Sequence, residues 1–231
     1  KRYSRKWDLQ VAPSVCAGCA AGCNTSPGER YGELRRIVNR YNSEVNGYFL
    51  CDRGRFGFDF VNSKNRITAA FRRNRDGSEW IEEVDAGDAK AAVANLKKTS
   101  VLGIGSPRAS NESNFALRSL VGQENFFAGY SDLEHESMQL INNLMTNDTF
   151  HNPSIREIEQ ADAILILGED VTNVAPRIAL ALRQSVRQRA QELAEENRIP
   201  QWQDAAVREL AQRELSPLTV MTPYATRLED V

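Results

Sequence analysis

Residues 16–36 read CAGCAAGCNTSPGERYGELRR, and this stretch holds three of the four cysteines of the chain within eight residues. The fourth cysteine follows after 27 intervening residues, within FLCDRGR. No secretory signal is evident before them, and clustered thiols in such a chain indicate metal ligands more than disulfides. The spacing therefore predicts that one metal centre is bound by Cys16, Cys19, Cys23 and Cys51.

Two kinds of metal centre use four thiolates, namely tetrahedral zinc and iron–sulfur clusters. Zinc sites usually present two short CxxC pairs, whereas the separate irons of a cubane suit three thiolates on one loop and one remote thiolate. The spacing favours a [4Fe-4S] cluster and leaves zinc as the alternative. Gly18 and Gly22 are interpreted as letting backbone amides approach the inorganic sulfurs, a role that is compatible with an ordinary turn.

The composition is that of a globular protein, with 41% hydrophobic and 26% charged residues in a chain of 231. No apolar run approaches the roughly 18 residues of a membrane helix, so any membrane association is predicted to be peripheral. The net charge of −2 divides into +9 for residues 1–75 and −11 for residues 76–231. Because no aromatic stacking platform accompanies the dispersed arginines, we predict a basic shell around a buried anion and no nucleic-acid partner.

The segment up to about Ile67 is rich in turns and poor in apolar side chains, with short strands predicted at 34–38 and 48–50. Such a segment gains little from apolar burial, so a bound metal centre is expected to supply folding free energy as well as chemistry. An oxidised cubane with four thiolates carries a net charge of −2. Arg53, Arg55 and the two arginines of ELRR are candidates to offset it.

After the charged stretch RRNRDGSE, which we interpret as a linker, strand and helix patterns alternate. Short apolar runs separated by helices predict a parallel sheet covered on both faces. The fold class is therefore α/β, a small β-rich iron–sulfur subdomain at 9–67 followed by a doubly wound, Rossmann-like domain at 68–231. Strands are predicted at 80–84, 101–105, 163–168 and 218–222, and helices at 86–98, 109–122, 132–145, 153–161, 174–196 and 201–213.

Two turns of the predicted α/β domain follow buried strands, where ligands often bind. In GIGSPRASN, Ser106 is predicted as the N-cap and Pro107 as the first residue of a helix. In GEDVTNVAP, Glu169 and Asp170 are interpreted as loop polar residues. Neither turn carries a phosphate-binding fingerprint, so both are predicted to be structural. His135 and His151 are likewise interpreted as surface or capping residues.

Several stretches resemble known families. CAGCAAGC together with VNGYFLCDRGRFGFDFVNSKNRI resembles the iron–sulfur segment of molybdopterin-dependent oxidoreductases such as formate dehydrogenases and nitrate reductases. Within that superfamily, SPGERYGELRRIVNRYN, GIGSPRASNESNFALR and ILGEDVTNVAPRIALALRQ resemble the G-subunit family of bacterial NADH-quinone oxidoreductase, respiratory complex I. The resemblance runs essentially from end to end.

The resemblance implies one [4Fe-4S] cluster on the four cysteines, far from the main electron path, and an α/β domain of molybdopterin-oxidoreductase type. It implies other subunits of the complex I hydrophilic arm as partners, and a peripheral position on the cytoplasmic side of the bacterial inner membrane. The chain starts at Lys1 without a methionine, which leads us to expect an internal fragment. We expect this fragment to lack catalytic activity by itself, because it shows no flavin or nicotinamide fingerprint.

One position departs from the molybdenum enzymes. There, the fourth cysteine is commonly followed by a lysine and a glycine, and the lysine lies between cluster and pterin. Here Cys51 is followed by Asp52, Arg53 and Gly54. Arginine is bulkier, planar and always charged, so no molybdopterin is expected. Two alternatives stay open, a catalytic piece of a molybdopterin-dependent oxidoreductase and a zinc-binding interaction module.

Overall fold

The computed structural model describes residues 5–73, 80–96, 101–107, 109–147, 149–212 and 214–228. The chain forms two compact units, one made of Lys1–Arg66 with Asn152–Val231 and the other of Ile67–His151. The first boundary lies beside residue 67, and the chain returns to the first unit after residue 151. The α/β class with a small β-rich subdomain is confirmed. The division into domains at 9–67 and 68–231 stays a prediction.

The cysteine-bearing segment forms a small antiparallel sheet around one central strand. Its four strands are β1 (Gln10–Val11), β2 (Ser14–Val15), β3 (Asn24–Arg30) and β4 (Glu33–Asn39). The short strands β1 and β2 pair with different halves of β3, and β4 pairs with β3 along its length. The predicted strand at 34–38 is thus confirmed as part of β4.

A two-residue turn joins β3 to β4. Both of its residues have positive φ, 55° at Tyr31 and 78° at Gly32. This is the combination that a type I′ hairpin turn requires, and its twist matches that of the two strands. The turn therefore fixes which residues of β3 and β4 face each other.

The segment from Arg40 to Leu50 contains no strand, so the prediction of a strand at 48–50 is wrong. Its carbonyl groups are bound by asparagine side chains. Asn39 Nδ2 donates to the carbonyl of Phe49 at 3.0 Å, and Asn46 Nδ2 donates to the same carbonyl at 3.3 Å and to that of Arg40 at 3.2 Å. A buried backbone needs partners but not strand partners, and here side-chain amides supply them.

The remainder of the first unit carries a parallel strand pair covered by helices. Strands β9 (Ile164–Leu167) and β10 (Leu218–Met221) pair in parallel, as predicted for 163–168 and 218–222. A buried apolar cluster joins Ile166 of β9 to Leu182 and Leu228. The helices are α5 (Ile155–Glu159), α6 (Val171–Val174), α7 (Pro176–Val186), α8 (Gln188–Glu196) and α9 (Asp204–Ala211).

The single helix predicted over 174–196 is wrong, because the chain breaks into α7 and α8 at Arg187. Buried Ser216 lies at this break. Its backbone N–H donates to the carbonyl of Val186 at 2.9 Å, and its Oγ accepts from the backbone N–H of Arg189 at 3.2 Å. A residue inserted into the hydrogen-bond ladder is an established cause of helix breaks.

The second unit also combines strands and helices. Strands β5 (Ala70–Arg73) and β6 (Trp80–Val84) pair antiparallel, and β7 (Gly103–Ile104) pairs in parallel with β8 (Phe126–Phe127). The helices are α2 (Ala86–Leu96), α3 (Asn111–Val121) and α4 (Asp132–Met145). Within the described residues the parallel strands of the chain form two-stranded pairs, so the doubly wound sheet is seen only in part.

Two local predictions in this unit are wrong. Residues 72 and 73 of the predicted linker belong to β5, while residues 74–79 lie outside the described residues. The helix predicted to start at Pro107 starts at Asn111, where the side chain of Ser110 accepts from Ser113 N–H. Asn114 explains the later start, since its amide binds both the N–H and the carbonyl of Ser106 and so holds that residue in a turn.

A search of the described helices finds none that is both long enough and apolar enough to cross a bilayer.

Asn46 gives a test of how the segment before Cys51 is held. Asn46 is 1% exposed, and replacing it with alanine leaves the N–H of Asn24 and the carbonyls of Arg40 and Phe49 without their bonds from this side chain. Phe49 keeps its bond from Asn39, whereas the N–H of Asn24 loses its bond. Since a buried unpaired group costs about 1–3 kcal/mol, we expect Asn46→Ala to lower the free energy of unfolding by about 2 kcal/mol. Urea denaturation followed by circular dichroism measures this change.

The exposed Asn65 provides the matched control, and Asn65→Ala is expected to change the unfolding free energy by less than about 0.5 kcal/mol. Equal stabilities of the two variants would contradict a structural role for the buried amide.

Candidate metal centre

Three cysteines lie on the loop between β2 and β3. Cys16 directly follows β2 and Cys23 directly precedes β3, and the N–H of Cys16 donates to the carbonyl of Cys23 at 2.8 Å. The sheet thereby closes the loop at its base. Gly22 has a φ of 62°, a left-handed conformation that glycine adopts without strain. Its role in the structure is therefore that of a turn residue.

The segment that carries the fourth cysteine is held against the cysteine loop by the side chain of Asn46. Cys51 immediately precedes α1 (Asp52–Phe56), and its carbonyl accepts from the N–H of Arg55 at 2.9 Å. On its other side, Asn46 accepts from the N–H of Asn24 at 2.9 Å and donates to the carbonyl of Phe49. Asn24 follows Cys23 and Phe49 lies two residues before Cys51, so one buried amide ties the two ligand-bearing segments together.

The other three thiols act electrostatically on Cys23. Cys23 is 3% exposed, and the pKa of its thiol is raised from 9.0 to about 11, first because burial disfavours the thiolate. Negative charge on the neighbouring thiols raises this pKa as well, in the order Cys19, Cys16 and Cys51. Such effects weaken with separation. The other three cysteines therefore lie close enough to Cys23 to affect its charge.

Two glycines pack against the sulfur of Cys16. The N–H of Gly18 points at Cys16 Sγ with an N to S distance of 3.4 Å, and a Cβ added at Gly18 would lie 3.3 Å from that sulfur. A Cβ added at Gly54 would lie 3.1 Å from the same sulfur and 2.7 Å from Leu50 Cδ1. The site thus has a backbone N–H directed at a ligand sulfur and no room for a side chain at Gly54.

The arginines predicted to surround the site are bound to other protein groups. Arg53 donates to the carbonyl of Gly18 at 3.2 Å and to that of Asn173 at 2.5 Å, so it joins the cysteine loop to the segment before α7. Arg55 donates to the carbonyl of Leu50 at 3.3 Å. Arg35, one of the ELRR arginines, pairs with Glu33 at 2.5 Å.

Sequence reasoning missed one cation of the site, Arg177. This residue is 6% exposed on the first turn of α7, and its positive charge lowers the pKa of the Cys23 thiol, opposing the effect of burial. The helical spacing of PRIALALRQS could have revealed it. One buried stripe of α7 carries residues spaced four positions apart, namely Arg177, Ala181 and Ser185. An arginine is unexpected on such a stripe.

The remaining polar residues considered from sequence have structural partners. Asp170 caps α6, since its carboxylate accepts from Thr172 N–H at 3.1 Å and from Thr172 Oγ1 at 2.5 Å. Glu169 accepts from the N–H of Asp170 at 2.8 Å. His135 contacts Gln139 on its own helix with an N to N distance of 2.8 Å. These contacts agree with the interpretation of the two acidic residues as loop polar groups.

The donor set fits an iron–sulfur cluster. Four thiols are available, one backbone N–H points at a ligand sulfur, Arg53 binds a carbonyl of the loop, and the charge of Arg177 acts on Cys23. In the part of the chain that the structure describes, no three His, Cys, Asp or Glu side chains are grouped to hold a single metal ion. A cubane binds each thiolate at a different iron, whereas zinc draws all its ligands to within about 2.3 Å of one ion.

Comparison with known proteins gives two findings. Residues 9–63 match the family described as Molybdopterin oxidoreductase Fe4S4 domain. The whole chain is 51% identical to the G subunit of NADH-quinone oxidoreductase from Escherichia coli strain K12 over 233 aligned residues. It is 51% identical to the same subunit from Shewanella oneidensis and 49% identical to the one from Yersinia pestis. The chain spans about a quarter of the length of these relatives, 25% in each case.

The raised pKa of Cys23 predicts its reactivity in the metal-free protein. At pH 8 its thiolate fraction is about 100-fold smaller than that of a thiol with a pKa of 9.0, so we expect alkylation by iodoacetamide to be slowed in proportion. The rate should become half-maximal near pH 11. Mass spectrometry of the peptide that contains Cys23 measures the rate at each pH, with the urea-unfolded chain as control.

The same shift predicts a loss of stability in alkali. Because the folded chain holds the Cys23 proton more tightly than the unfolded chain, this contribution is complete below pH 9 and is lost as the pH rises toward about 11.

Equal alkylation rates for folded and unfolded chains at pH 8 would show that Cys23 is not shielded.

Proposed function

We propose that the chain is a part of a G subunit of NADH-quinone oxidoreductase that binds one [4Fe-4S] cluster, because residues 9–63 match the Molybdopterin oxidoreductase Fe4S4 domain and the whole chain is 51% identical to a segment of that subunit. The proposed ligands are Cys16, Cys19, Cys23 and Cys51. When bound, the cluster supplies a one-electron redox couple. The observation that carries this proposal is the buried side chain of Asn46, which binds Asn24 beside Cys23 and Phe49 shortly before Cys51 and so holds the segment of the remote cysteine against the loop.

We further propose that the cluster serves mainly to hold the first segment of the chain together. Within the described residues 5–66, the buried hydrophobic side chains are Cys23, Leu50 and Phe58. Three such residues bury little apolar area compared with what a segment of this size needs. Metal–thiolate bonds contribute free energy that the unfolded chain lacks, because a preformed site rarely exists there. The cluster would therefore stabilise the sheet as well as carry an electron.

The position of Arg53 supports a cluster without a pterin partner. In the resembling molybdenum enzymes, the corresponding position carries a lysine between cluster and pterin. Here, both terminal nitrogens of Arg53 donate to carbonyls, one on the cysteine loop and one at Asn173. Arg53 thus acts as a bridge within the protein. We propose that no molybdopterin binds and that the cluster lies off the main electron path.

In the assembled enzyme, we propose that this chain is part of the scaffold of the arm that passes electrons from NADH to quinone. Other subunits of that hydrophilic arm would be its partners. It would lie peripherally on the cytoplasmic side of the bacterial inner membrane and contact the membrane only through the complex. The helix α8 is a candidate contact surface, since Ala190 and Ala194 are buried while most of its charged side chains face outward.

Metal analysis tests the cluster directly. After anaerobic reconstitution with iron and sulfide, we expect about four irons and four sulfides per chain and an EPR signal on reduction. Cys51→Ser should lower the iron content at least several-fold, because the hydroxyl of serine is a much poorer ligand for iron than a thiolate. Ser43→Ala, at an exposed position of the same segment, is the control and should retain the full content. Zinc without inorganic sulfide in the wild-type chain would refute the proposal.

Turnover measurements test the scaffold role. The chain alone, with its cluster reconstituted, is expected not to oxidise NADH in the presence of ferricyanide or a quinone, because its sequence carries no flavin or nicotinamide fingerprint. Absorbance at 340 nm measures the reaction. A rate above that of the Cys51→Ser variant would contradict this expectation.

A further inference from the structure

The side chain of Arg177 is the least satisfied charged group among the described residues. Its side chain is 7% exposed, and its Nη2 donates to Glu159 Oε1 on α5 at 2.6 Å. Its Nε and Nη1 are buried and have no hydrogen-bond partner, the sole such atoms among the described side chains. Buried donors of a charged group are costly to leave unpaired, and native structures rarely do so without a ligand or a functional reason.

The pairing with Glu159 does not account for the position of Arg177. A single carboxylate contact leaves two donors of the guanidinium unused, whereas arginine binds carboxylates most strongly through two parallel bonds. The carboxylate is also 30% exposed, so water screens its charge more than it screens the buried guanidinium. The net charge felt in the interior beside Arg177 is therefore positive.

The cysteine loop would carry negative charge when it holds the proposed cluster, and it is linked to the segment just before Arg177. Arg53 connects the carbonyl of Gly18 in this loop to the carbonyl of Asn173, which lies four residues before Arg177. Pro176 begins α7, so Arg177 stands on the first turn of the helix that follows this bridged segment. The electrostatic influence of Arg177 on Cys23, the most buried of the four thiols, agrees with this placement.

We propose that Arg177 is the buried counter-cation of the cysteine-held cluster and that it sets the reduction potential of that cluster. This inference rests on the proposed function. With four thiolates, the oxidised cubane carries −2 and the reduced cubane −3, after uptake of one electron from an external reductant without formation or loss of a bond or proton. A fixed positive charge stabilises the −3 state more than the −2 state. Arg177 therefore raises the potential and acts as a positioning charge rather than a catalytic group.

The test compares potentials of variants with equal cluster content. The chain is reconstituted anaerobically, its iron and sulfide are counted, and the midpoint potential is measured by EPR during titration with dithionite. Arg177→Gln removes the charge and is expected to lower the equilibrium constant for reduction about tenfold, which corresponds to about 59 mV for one electron. Arg177→Lys retains the charge and is expected to keep a potential close to that of the wild type.

Arg208→Gln is the matched control, because it removes an arginine from an exposed arginine–carboxylate pair in the same compact unit, Arg208 with Asp204 at 2.8 Å. It should leave the potential unchanged. A wild-type potential in an Arg177→Gln chain that holds four irons would overturn the inference while leaving the proposed function intact. A wild-type chain that takes up no iron or sulfide would overturn the proposed function, and this inference with it.

A second comparison applies if Arg177→Gln does not fold, since removal of one partner of a buried pair leaves the other uncompensated. The double variant Arg177→Gln, Glu159→Gln removes both charges and is compared with Glu159→Gln alone. The two chains differ only in the charge at Arg177. A potential lower in the double variant by about 59 mV supports the inference, and equal potentials overturn it.

Discussion

The buried amide of Asn46 is the contact on which the candidate metal centre depends. The cysteine loop and Cys51 are far apart in sequence, and the sheet alone does not connect them. Asn46 binds the backbone on both sides, at Asn24 beside Cys23 and at Phe49 shortly before Cys51. A side-chain amide has both donors and an acceptor, so it can bind an N–H of one segment and a carbonyl of another at once. Asn39 of β4, which donates to the carbonyl of Phe49, and Arg53, which donates to that of Gly18, add further bonds between these segments.

A second constraint comes from the return of the chain to the first compact unit. Residues after 151 bring α7 to the cysteine loop, where Arg53 binds the carbonyl of Asn173. The candidate metal centre is therefore joined to a part of the chain that lies far from it in sequence, through the bond from Arg53 to Asn173.

The distribution of charge along the sequence does not reveal which cation acts on the most buried thiol. The first 75 residues carry +9, yet some of their arginines are paired with carboxylates, Arg35 with Glu33 and Arg30 with Asp8 among them. Exposed pairs of this kind contribute little free energy in water. The cation that acts on the most buried thiol is Arg177, from the part of the chain with a net charge of −11. Burial decides which charge matters, because water screens the others.

The sequence by itself determined the ligand residues proposed for the cluster, the α/β class, the hairpin strand β4 and the parallel strands β9 and β10. These follow from local signals, namely cysteine spacing, apolar runs and turn residues. Only the tertiary structure decided the break between α7 and α8, which Ser216 creates from 29 positions beyond Arg187. It likewise decided the irregular path of residues 48–50 and the burial of Arg177. In each case the deciding partner is distant in the chain, and periodicity describes only neighbours along one helix or strand.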